Sequence, residues 1–371
     1  MQTVDAAGLS IGDDHPPRIM GVLNVSTESP YDPSVFEDPG AGARYVDEDL
    51  IDEGADIVDV GLESANKRFE VLSPQEELAR LDTAVETIES VSGDAVFSIE
   101  TRYAEVAETA LARGFDMVND ICGFADPEMP RVCREYDVAV AKMASPPDLQ
   151  RPGAIEDVDE MYDALFRNGL TDKTIVDPAF GGWSEDKTIA DDRETFRRLR
   201  EFRAIGQPIL VSINRKNFLG ELADRTTEEA LPASLAATSM AVERGARVVR
   251  THDVAETRDA ALVGDAFARD RVRADGVEEL DVTTVREAGR YFADTGADGT
   301  RAVSRVFALR DLDTAATERL REAAAGVDVA VATAGESVFL GGSVAGLRAL
   351  ADRTQAPDAV AEALSRERTG G

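Results

Sequence analysis

The chain contains very little histidine, cysteine or lysine. Its 371 residues include 2 histidines, 2 cysteines and 5 lysines, whereas arginine occurs 35 times. Cys122 and Cys133 cannot build a disulfide framework, and neither has the neighbouring ligands of a zinc site, so we expect two buried thiols. Lysine is so rare that Lys67, Lys142 and Lys216 are each candidates for a specific role.

Long apolar runs are also missing. No tract reaches the roughly 18 uninterrupted apolar residues that a membrane-spanning helix needs, so we expect no membrane partner. Residues 1–17 have neither the positively charged start nor the apolar core of a secretion signal, and we expect them to form a loose N-terminal arm. With 43% apolar residues the chain can bury a large core, which favours a cytoplasmic, enzyme-sized protein.

Acidic residues are in large excess. The 72 aspartates and glutamates outnumber the 40 lysines and arginines, and the formal net charge is -32. Such a field repels nucleic acid, which we therefore do not expect as a partner. The acidic residues are scattered along the chain, a pattern that suits concentrated salt and suggests a halophilic source. Unfolding at low salt would support that hypothesis, whereas full stability in dilute buffer would contradict it.

Short apolar runs alternate with stretches that have apolar residues at helical spacing. The runs are RIMGVLNV (18–25), DIVDVG (56–61), AVFSIE (95–100), FDMVND (115–120), VAVAKM (138–143), TIVDP (174–178), PILVSI (208–213) and RVVRT (247–251). Because parallel strands need a helix-length connection, these 8 runs predict an α/β fold, a (β/α)8 TIM barrel over residues 18–270. An open, doubly wound sheet is the alternative, since periodicity does not show closure. The weakest predicted helix lies at 154–168.

The pattern changes after about residue 270. Shorter helical and strand-like stretches predict a small C-terminal α/β domain over residues 276–355, followed by a polar tail at 356–371. The predicted domain has no histidine, cysteine or lysine and no phosphate-loop motif. Its sequence therefore indicates no chemical role.

Polar residues follow the predicted strands at the end where a barrel of this type carries its active site. They are Asn24, Asp59, Glu63, Ser64, Glu100, Asn119, Lys142, Asp177, Lys216, Arg250 and His252. Each could by itself be a helix cap, a structural carboxylate or a solvated side chain, and Thr101 and Asp253 fit the capping role well. Their occurrence at one end of all the strands indicates a polar ligand.

The last two strands predict an anion site. Arg250 and His252 are two residues apart on a strand and so share a face, and Arg215 and Lys216 follow the neighbouring strand. Loops after the seventh and eighth strands form the common phosphate site of TIM barrels, so we expect a phosphate or diphosphate there.

Neutral and acidic residues predict the other half of the ligand. Glu100, Asn119 and Asp177 could accept hydrogen bonds from a flat nitrogen heterocycle. The Asn24 oxygen could contact a Mg²⁺ ion shared with the diphosphate.

Seven motifs, in order, resemble those of dihydropteroate synthase, a pterin-binding (β/α)8 family of folate synthesis. They are IMGVLNVS, DIVDVGLES, FSIETRYAEVAETAL, GFDMVNDICG, IVDPAFG, LVSINRKNFLG and VVRTHDVAET, and they cover roughly residues 18 to 268. The resemblance implies condensation of 6-hydroxymethyl-7,8-dihydropterin diphosphate with para-aminobenzoate, with release of diphosphate. It also implies a homodimer.

The same resemblance implies a role for each matched residue. Asn24 would contact Mg²⁺, and Arg250 and His252 would hold the diphosphate. The pterin pocket would consist of Glu100, Asn119, Asp177 and Lys216, of which Lys216 acts with Arg250 and His252 in catalysis. Such a reaction requires no nucleophilic side chain, because the developing cation is delocalised into the pterin ring.

The chain departs from the family pattern at four places, the first of which is the loop Ser26-Thr27-Glu28-Ser29-Pro30-Tyr31 in place of Thr-Pro-Asp-Ser-Phe-Ser. Glu100 stands where the family has aspartate, and Ala141-Lys142 replaces Met-His on the fifth strand. The Ser-Thr-Arg-Pro run of the family is here Ser64-Ala65-Asn66-Lys67, which loses the hydroxyl and the arginine that help hold the diphosphate and the arylamine. Ser64 and Lys67 are expected to bind substrate, with Lys67 or Arg68 in place of the arginine. Three alternatives stay open: a modified arylamine, a pterin-dependent methyltransferase, and a non-catalytic pterin binder.

Overall fold

The computed structural model describes residues 1–26, 32–64, 71–181, 187–293 and 295–354. The chain forms two compact units, Met1–Arg269 and a second unit that begins at Asp270. Among the described residues no helix is both long and apolar enough to cross a membrane. The predicted polar tail lies outside the described residues.

The first unit is a closed parallel barrel behind a short hairpin. The hairpin strands are β1 (Val4–Ala6) and β2 (Leu9–Ile11), and the barrel strands are β3 (Arg18–Asn24), β4 (Ile57–Gly61), β5 (Val96–Thr101), β6 (Met117–Asp120), β7 (Ala139–Met143), β8 (Thr174–Asp177), β9 (Ile209–Val211) and β10 (Ala246–Thr251). The barrel strands pair in chain order, and β10 closes the ring against β3. The predicted TIM barrel is confirmed and the open sheet is excluded.

Helices follow the barrel strands and surround them. They are α1 (Pro39–Tyr45), α2 (Pro74–Ser90), α3 (Ala104–Leu111), α4 (Met129–Glu135), α5 (Val158–Phe166), α6 (Ile189–Arg197), α7 (Asn217–Ala223), α8 (Leu231–Glu243) and α9 (Val254–Ala266), with a π-helical turn after α1 and a 3-10 stretch at Leu199–Ile205. The weakly predicted helix at 154–168 forms as α5. Asp157 caps it by accepting hydrogen bonds from the backbone N–H groups of Asp159 and Glu160.

The N-terminal residues are not the loose arm that was expected. Strands β1 and β2 pair antiparallel, and Val4, Ala6 and Ile11 are almost completely buried. These three side chains share one apolar cluster with the inward-facing layer of the barrel, made of Met20, Ile57, Val96, Met117, Ala139, Ala141, Ile175, Leu210 and Val248. The expectation was wrong because the apolar layer at the amino ends of the strands would otherwise meet water.

Shortening a buried side chain of this hairpin should destabilise the barrel. We expect Ile11→Ala to lower the free energy of unfolding by about 2 to 4 kcal/mol, because Ile11 is 0% exposed and its truncation leaves a cavity in the apolar cluster. Urea unfolding measures the loss. Leu9→Ala, at a partly buried position of the same hairpin, should cost less than half as much. Small and equal losses for both variants would show that the hairpin is dispensable.

Lys142 does not lie in the barrel mouth. Side chains alternate along β7, so Ala141 faces the barrel interior and Lys142 faces the surrounding helices. Its ammonium donates hydrogen bonds to the carbonyls of Leu165, Arg167 and Gly169 at and beyond the end of α5, and it lies 4.4 Å from the centre of the Phe124 ring. Lys142 therefore closes a helix end, and its expected place among the mouth residues is wrong.

Removal of this ammonium should cost stability. We expect Lys142→Met to lower the free energy of unfolding by about 3 kcal/mol, because its three carbonyl partners lose a charged donor at a position with 0% exposure. Lys173→Met is the matched control. Lys173 also binds a carbonyl, that of Asp137, but it pairs with an aspartate side chain that is 85% exposed, and we expect a loss below about 1 kcal/mol. Equal losses in thermal or urea unfolding would contradict the assignment.

The second unit contains a small antiparallel sheet. Its elements are β11 (Arg273–Ala274), β12 (Val277–Glu278), α10 (Val285–Phe292), β13 (Ser304–Leu309), α11 (Thr314–Ala324), β14 (Val329–Ala334), β15 (Ser337–Ser343) and α12 (Val344–Thr354). Strand β15 lies between β13 and β14. Leu340 of β15 packs with Leu347 and Leu350 of α12 in a separate apolar cluster.

Candidate functional site

The strand register brings the predicted polar residues to one level of the barrel. Asn24 on β3 pairs with Gly61 on β4, Gly61 with Glu100 on β5, and Glu100 with Asn119 on β6. All are at or near the carboxyl ends of their strands. The parallel arrangement thus gathers residues from distant parts of the chain at one mouth, as the sequence predicted.

A hydrogen-bonded cluster occupies the centre of this mouth. Arg250 Nε donates to Asp59 Oδ2 at 2.7 Å, and Arg250 Nη2 donates to Glu100 Oε2 at 2.6 Å. Asn119 Nδ2 donates to the same Asp59 oxygen at 2.9 Å. The guanidinium therefore lies between two carboxylates, one of which is completely buried.

The sequence did not predict a role in the site for Asp59. It was interpreted as one possible structural carboxylate, yet it contacts residues of both β6 and β10. The signal was present in the strand, because Asp59 is two residues from Ile57 and therefore shares its inward face.

Three residues of the mouth have an oxygen that can still accept a hydrogen bond. Within the described ranges, Glu100 Oε1, Asn119 Oδ1 and Asp177 Oδ2 make no hydrogen bond, while their partner atoms on the same side chains are engaged. Asp177 Oδ1 accepts from the backbone N–H of Ala179 at 2.7 Å. The mouth can thus accept several N–H donors from a ligand.

Burial controls the protonation of the two carboxylates. It raises the pKa of Glu100 to about 7, with the facing Arg250 opposing that rise. It also raises the pKa of Asp177 to about 6, where the Ala179 N–H and the nearby Lys216 act in the opposite direction. Both groups therefore titrate close to neutral pH.

Lys216 is a partly buried cation beside these acceptors. Burial and the like charge of Arg250 lower the pKa of Lys216 to about 8. Its ammonium lies against Gly181, which has a φ of +120°, and a Cβ at Gly181 would be only 3.0 Å from Lys216 Nζ. Glycine is required there both for the backbone conformation and for space.

His252 and Arg215 do not contribute to the predicted anion site as the sequence suggested. Burial, together with Arg250, lowers the pKa of His252 to about 3, so its imidazole is neutral near pH 7. Arg215 forms a two-point ion pair with Asp253, at 2.8 Å for both Nε and Nη2. Arg215 thus ties the loops after β9 and β10 together, and Asp253 does not cap α9 through its side chain. Among the residues that the structure describes, Arg250 and Lys216 are the cations that lie beside the acceptors of the mouth.

Asn24 presents an oxygen to the mouth. Its Nδ2 donates to Ser34 Oγ at 3.0 Å, which orients Oδ1 toward Gly61. A Cβ at Gly61 would lie 2.9 Å from Asn24 Oδ1, so only glycine leaves this oxygen its space. Among the described residues no group of three or more histidines, cysteines or carboxylates could hold a metal ion.

The loop after β4 is held by a buried arginine that sequence reasoning missed. Arg102 Nη2 lies 3.0 Å from Glu63 Oε1, and Arg102 Nη1 donates to the Leu149 carbonyl at 2.7 Å. Arg102 is 1% exposed, and Ser64 is also buried. Lys67, the other residue of this loop that is expected to bind substrate, lies outside the described residues.

Comparison with known proteins identifies the barrel. The family of pterin binding enzymes matches residues 20–252. The chain belongs to the pterin-binding enzyme family. Among its relatives in that family is the dihydropteroate synthase of Clostridium beijerinckii, 33% identical over 258 residues, which are 68% of this chain and 94% of the relative.

The chain is also similar to other proteins that carry a dihydropteroate synthase name. A probable bifunctional folylpolyglutamate synthase/dihydropteroate synthase of Halobacterium salinarum is 35% identical over 67% of this chain, but the chain spans only 31% of that longer protein. The solved dihydropteroate synthase of Thermus thermophilus in complex with 4-aminobenzoate is 30% identical, with a TM-score of 0.58, and the match covers 72% of this chain and 100% of that one. These matches show an enzyme of the transferase class and confirm the resemblance to dihydropteroate synthase.

Proposed function

We propose that the barrel condenses 6-hydroxymethyl-7,8-dihydropterin diphosphate with 4-aminobenzoate and releases diphosphate, the dihydropteroate synthase step of folate biosynthesis. The observation that carries this proposal is the mouth of a pterin-binding barrel in which Arg250 and Lys216 lie beside the acceptors Glu100, Asn119 and Asp177. The complex of the Thermus thermophilus relative with 4-aminobenzoate supports the choice of arylamine.

The acceptors and Lys216 suit the heterocycle. The available oxygens of Glu100, Asn119 and Asp177 would accept the N–H groups along one edge of the pterin. Lys216 would donate from its ammonium to a ring acceptor. Because these groups come from different strands of a rigid barrel, they hold the ring without a large loss of conformational entropy.

Arg250 and His252 suit the leaving group. The bond between the exocyclic methylene carbon and the diphosphate oxygen breaks, and its electron pair leaves with the diphosphate. The arylamine nitrogen then forms the new bond to this carbon and loses a proton to solvent. Arg250 supplies positive charge to the departing oxygens, whereas neutral His252 supplies one N–H donor.

Mg²⁺ fits the mouth as a companion of the substrate. Asn24 is the residue that would contact it, because its Oδ1 is directed away from Ser34 and faces the space over Gly61. One protein oxygen is enough for an ion that keeps several waters and phosphate oxygens as ligands. When bound, Mg²⁺ would neutralise charge on the diphosphate.

Two alternatives are less well supported. A methyltransferase that uses a reduced pterin has no diphosphate to hold, so the cation Arg250, which we assign to the diphosphate, argues against it. A non-catalytic pterin binder would need no cation for a leaving group. A modified arylamine stays an alternative because the run Ser64-Ala65-Asn66-Lys67 lacks the threonine and the arginine of the family's Ser-Thr-Arg-Pro run. We also propose a cytoplasmic homodimer, on the family resemblance alone, which light scattering of the purified protein would test for assembly.

Diphosphate release tests the function directly. The dihydropterin diphosphate is offered with a panel of arylamines in high salt, with and without Mg²⁺. We expect release with 4-aminobenzoate and a strong dependence on Mg²⁺. Turnover only with a ribosylated arylamine would favour the modified substrate, and binding of dihydropterin without any turnover would favour the non-catalytic alternative.

A further inference from the structure

Asp59 lies at the centre of the site but faces away from solvent. It is in the middle of β4 with 0% exposure, and its strand neighbours are Val22 on β3 and Ser98 on β5. The residue therefore cannot be a surface charge or a cap. Its only route to a ligand is through the side chains that it contacts.

Those side chains are two of the residues assigned to the substrate. Asp59 Oδ2 accepts from Arg250 Nε at 2.7 Å and from Asn119 Nδ2 at 2.9 Å. Asp59 thus holds one nitrogen of Arg250 and one nitrogen of Asn119. The other end of each side chain, Arg250 Nη1 and Asn119 Oδ1, makes no hydrogen bond to the described residues. The two atoms left are a donor suited to an anion and an acceptor suited to a ring N–H.

A structural role alone does not account for this carboxylate. Burying a charged pair requires desolvation of both ions, and an apolar side chain of similar volume is often as good or better for stability. Asp59 Oδ1 is also buried without a hydrogen bond from the described residues, so the local structure does not satisfy it fully. What the carboxylate does achieve is the orientation of Arg250 and Asn119.

We propose that Asp59 is the positioning residue of the site: its carboxylate orients Arg250 for the diphosphate and Asn119 for the heterocycle. The inference rests on the proposed function and adds a residue that does not itself touch the substrate. It requires that Asp59 acts through its partners. Substitutions of Asp59 and Arg250 must therefore be non-additive.

A double-mutant cycle on kcat/KM for the dihydropterin diphosphate tests this. We expect Asp59→Ala to lower kcat/KM about 100-fold and Asp59→Asn, which keeps an acceptor oxygen of the same shape, about tenfold. Added to Arg250→Met, Asp59→Ala should lower the rate only by the part of its effect that acts through Asn119, about tenfold or less, whereas independent action predicts a further 100-fold or so. Ser98→Ala is the matched control, because Ser98 pairs with Asp59 across the strands and makes no hydrogen bond to the described residues.

The outcomes separate this inference from the proposed function. Circular dichroism and thermal unfolding of each variant show whether it is folded under assay conditions. If the losses in kcat/KM of the Asp59 and Arg250 variants multiply, and the variants are folded, the positioning role is wrong but the proposed function stands. Full activity of Asp59→Ala would have the same consequence. A wild-type enzyme that releases no diphosphate would overturn the proposed function and this inference with it.

Discussion

Replacement of Arg250 by methionine should lower kcat/KM for the dihydropterin diphosphate by about 100- to 1000-fold. A preorganised donor that stabilises developing negative charge has about this effect when it is removed. Arg250 is bonded to Glu100 at 2.6 Å and so lies directly beside the acceptors of the mouth, and neutral His252 cannot replace its charge. Steady-state assays of diphosphate release measure the loss.

Arg247→Met is the matched control on the same strand. Arg247 faces outward, where its Nη1 donates a hydrogen bond to Asp265 Oδ1 at 2.9 Å. It is only 5% exposed, so its replacement also removes a largely buried guanidinium. We expect this variant to lose stability but to keep its rate within a few-fold when it is folded. Similar rates for the Arg250 and Arg247 variants would refute the site.

The Arg250 variant should also show a changed pH dependence of stability. Without the guanidinium, the fully buried Asp59 and the partly buried Glu100 have no cation between them, and we expect a loss of about 3 to 5 kcal/mol near neutral pH. Burial already raises the pKa of Glu100 to about 7 in the intact site. A carboxyl whose pKa is higher in the folded than in the unfolded state loses stability as pH rises, so the deficit should shrink as the pH is lowered from 8 to 5. Urea unfolding across this range measures it.

The sequence predicts the barrel well because its strands are short apolar runs, and the stretches between them have apolar residues at helical spacing. All of the predicted runs become strands, with bounds shifted by one or two residues, as for PILVSI, which forms β9 at Ile209–Val211. Closure could not be predicted from periodicity, since it depends on the contact between β10 and β3, over 200 residues apart in the chain.

The side-chain direction on a fully buried strand is harder to predict. Every residue of β7 is buried, so polar and apolar positions do not alternate, and the sequence could not show that Lys142 faces the helices. On β10 the spacing of Arg250 and His252 predicts only a shared face, and the structure places Arg250 on the face of Val248, which belongs to the barrel interior. Hydrogen bonds such as that of Arg250 to Asp59 depend on register across the ring and lie beyond any local pattern.

The charge of Lys216 should set the alkaline limit of activity. Its pKa is lowered to about 8 by burial and by Arg250, so the ammonium that we assign to the pterin is lost as the pH rises through about 8. The pH dependence of kcat/KM reports the free enzyme, and it should therefore fall on this limb. On the acid side it should fall between about pH 7 and pH 6, where Glu100 and then Asp177 gain a proton.

Lys216→Met should lower kcat/KM at pH 7 by about 10- to 100-fold, since a hydrogen bond to a charged group contributes about 1.5 to 3 kcal/mol. More specifically, it should abolish the fall above pH 8 and keep a fall on the acid side, which should move upward because Lys216 no longer lowers the pKa of Asp177. Lys216→Arg keeps the charge at all accessible pH values, so its alkaline limb should move upward even if its rate is reduced by the larger side chain. An alkaline limb that stays at the same pH in both variants would mean that another group titrates there, and Lys216 would then have no part in the step that kcat/KM reports.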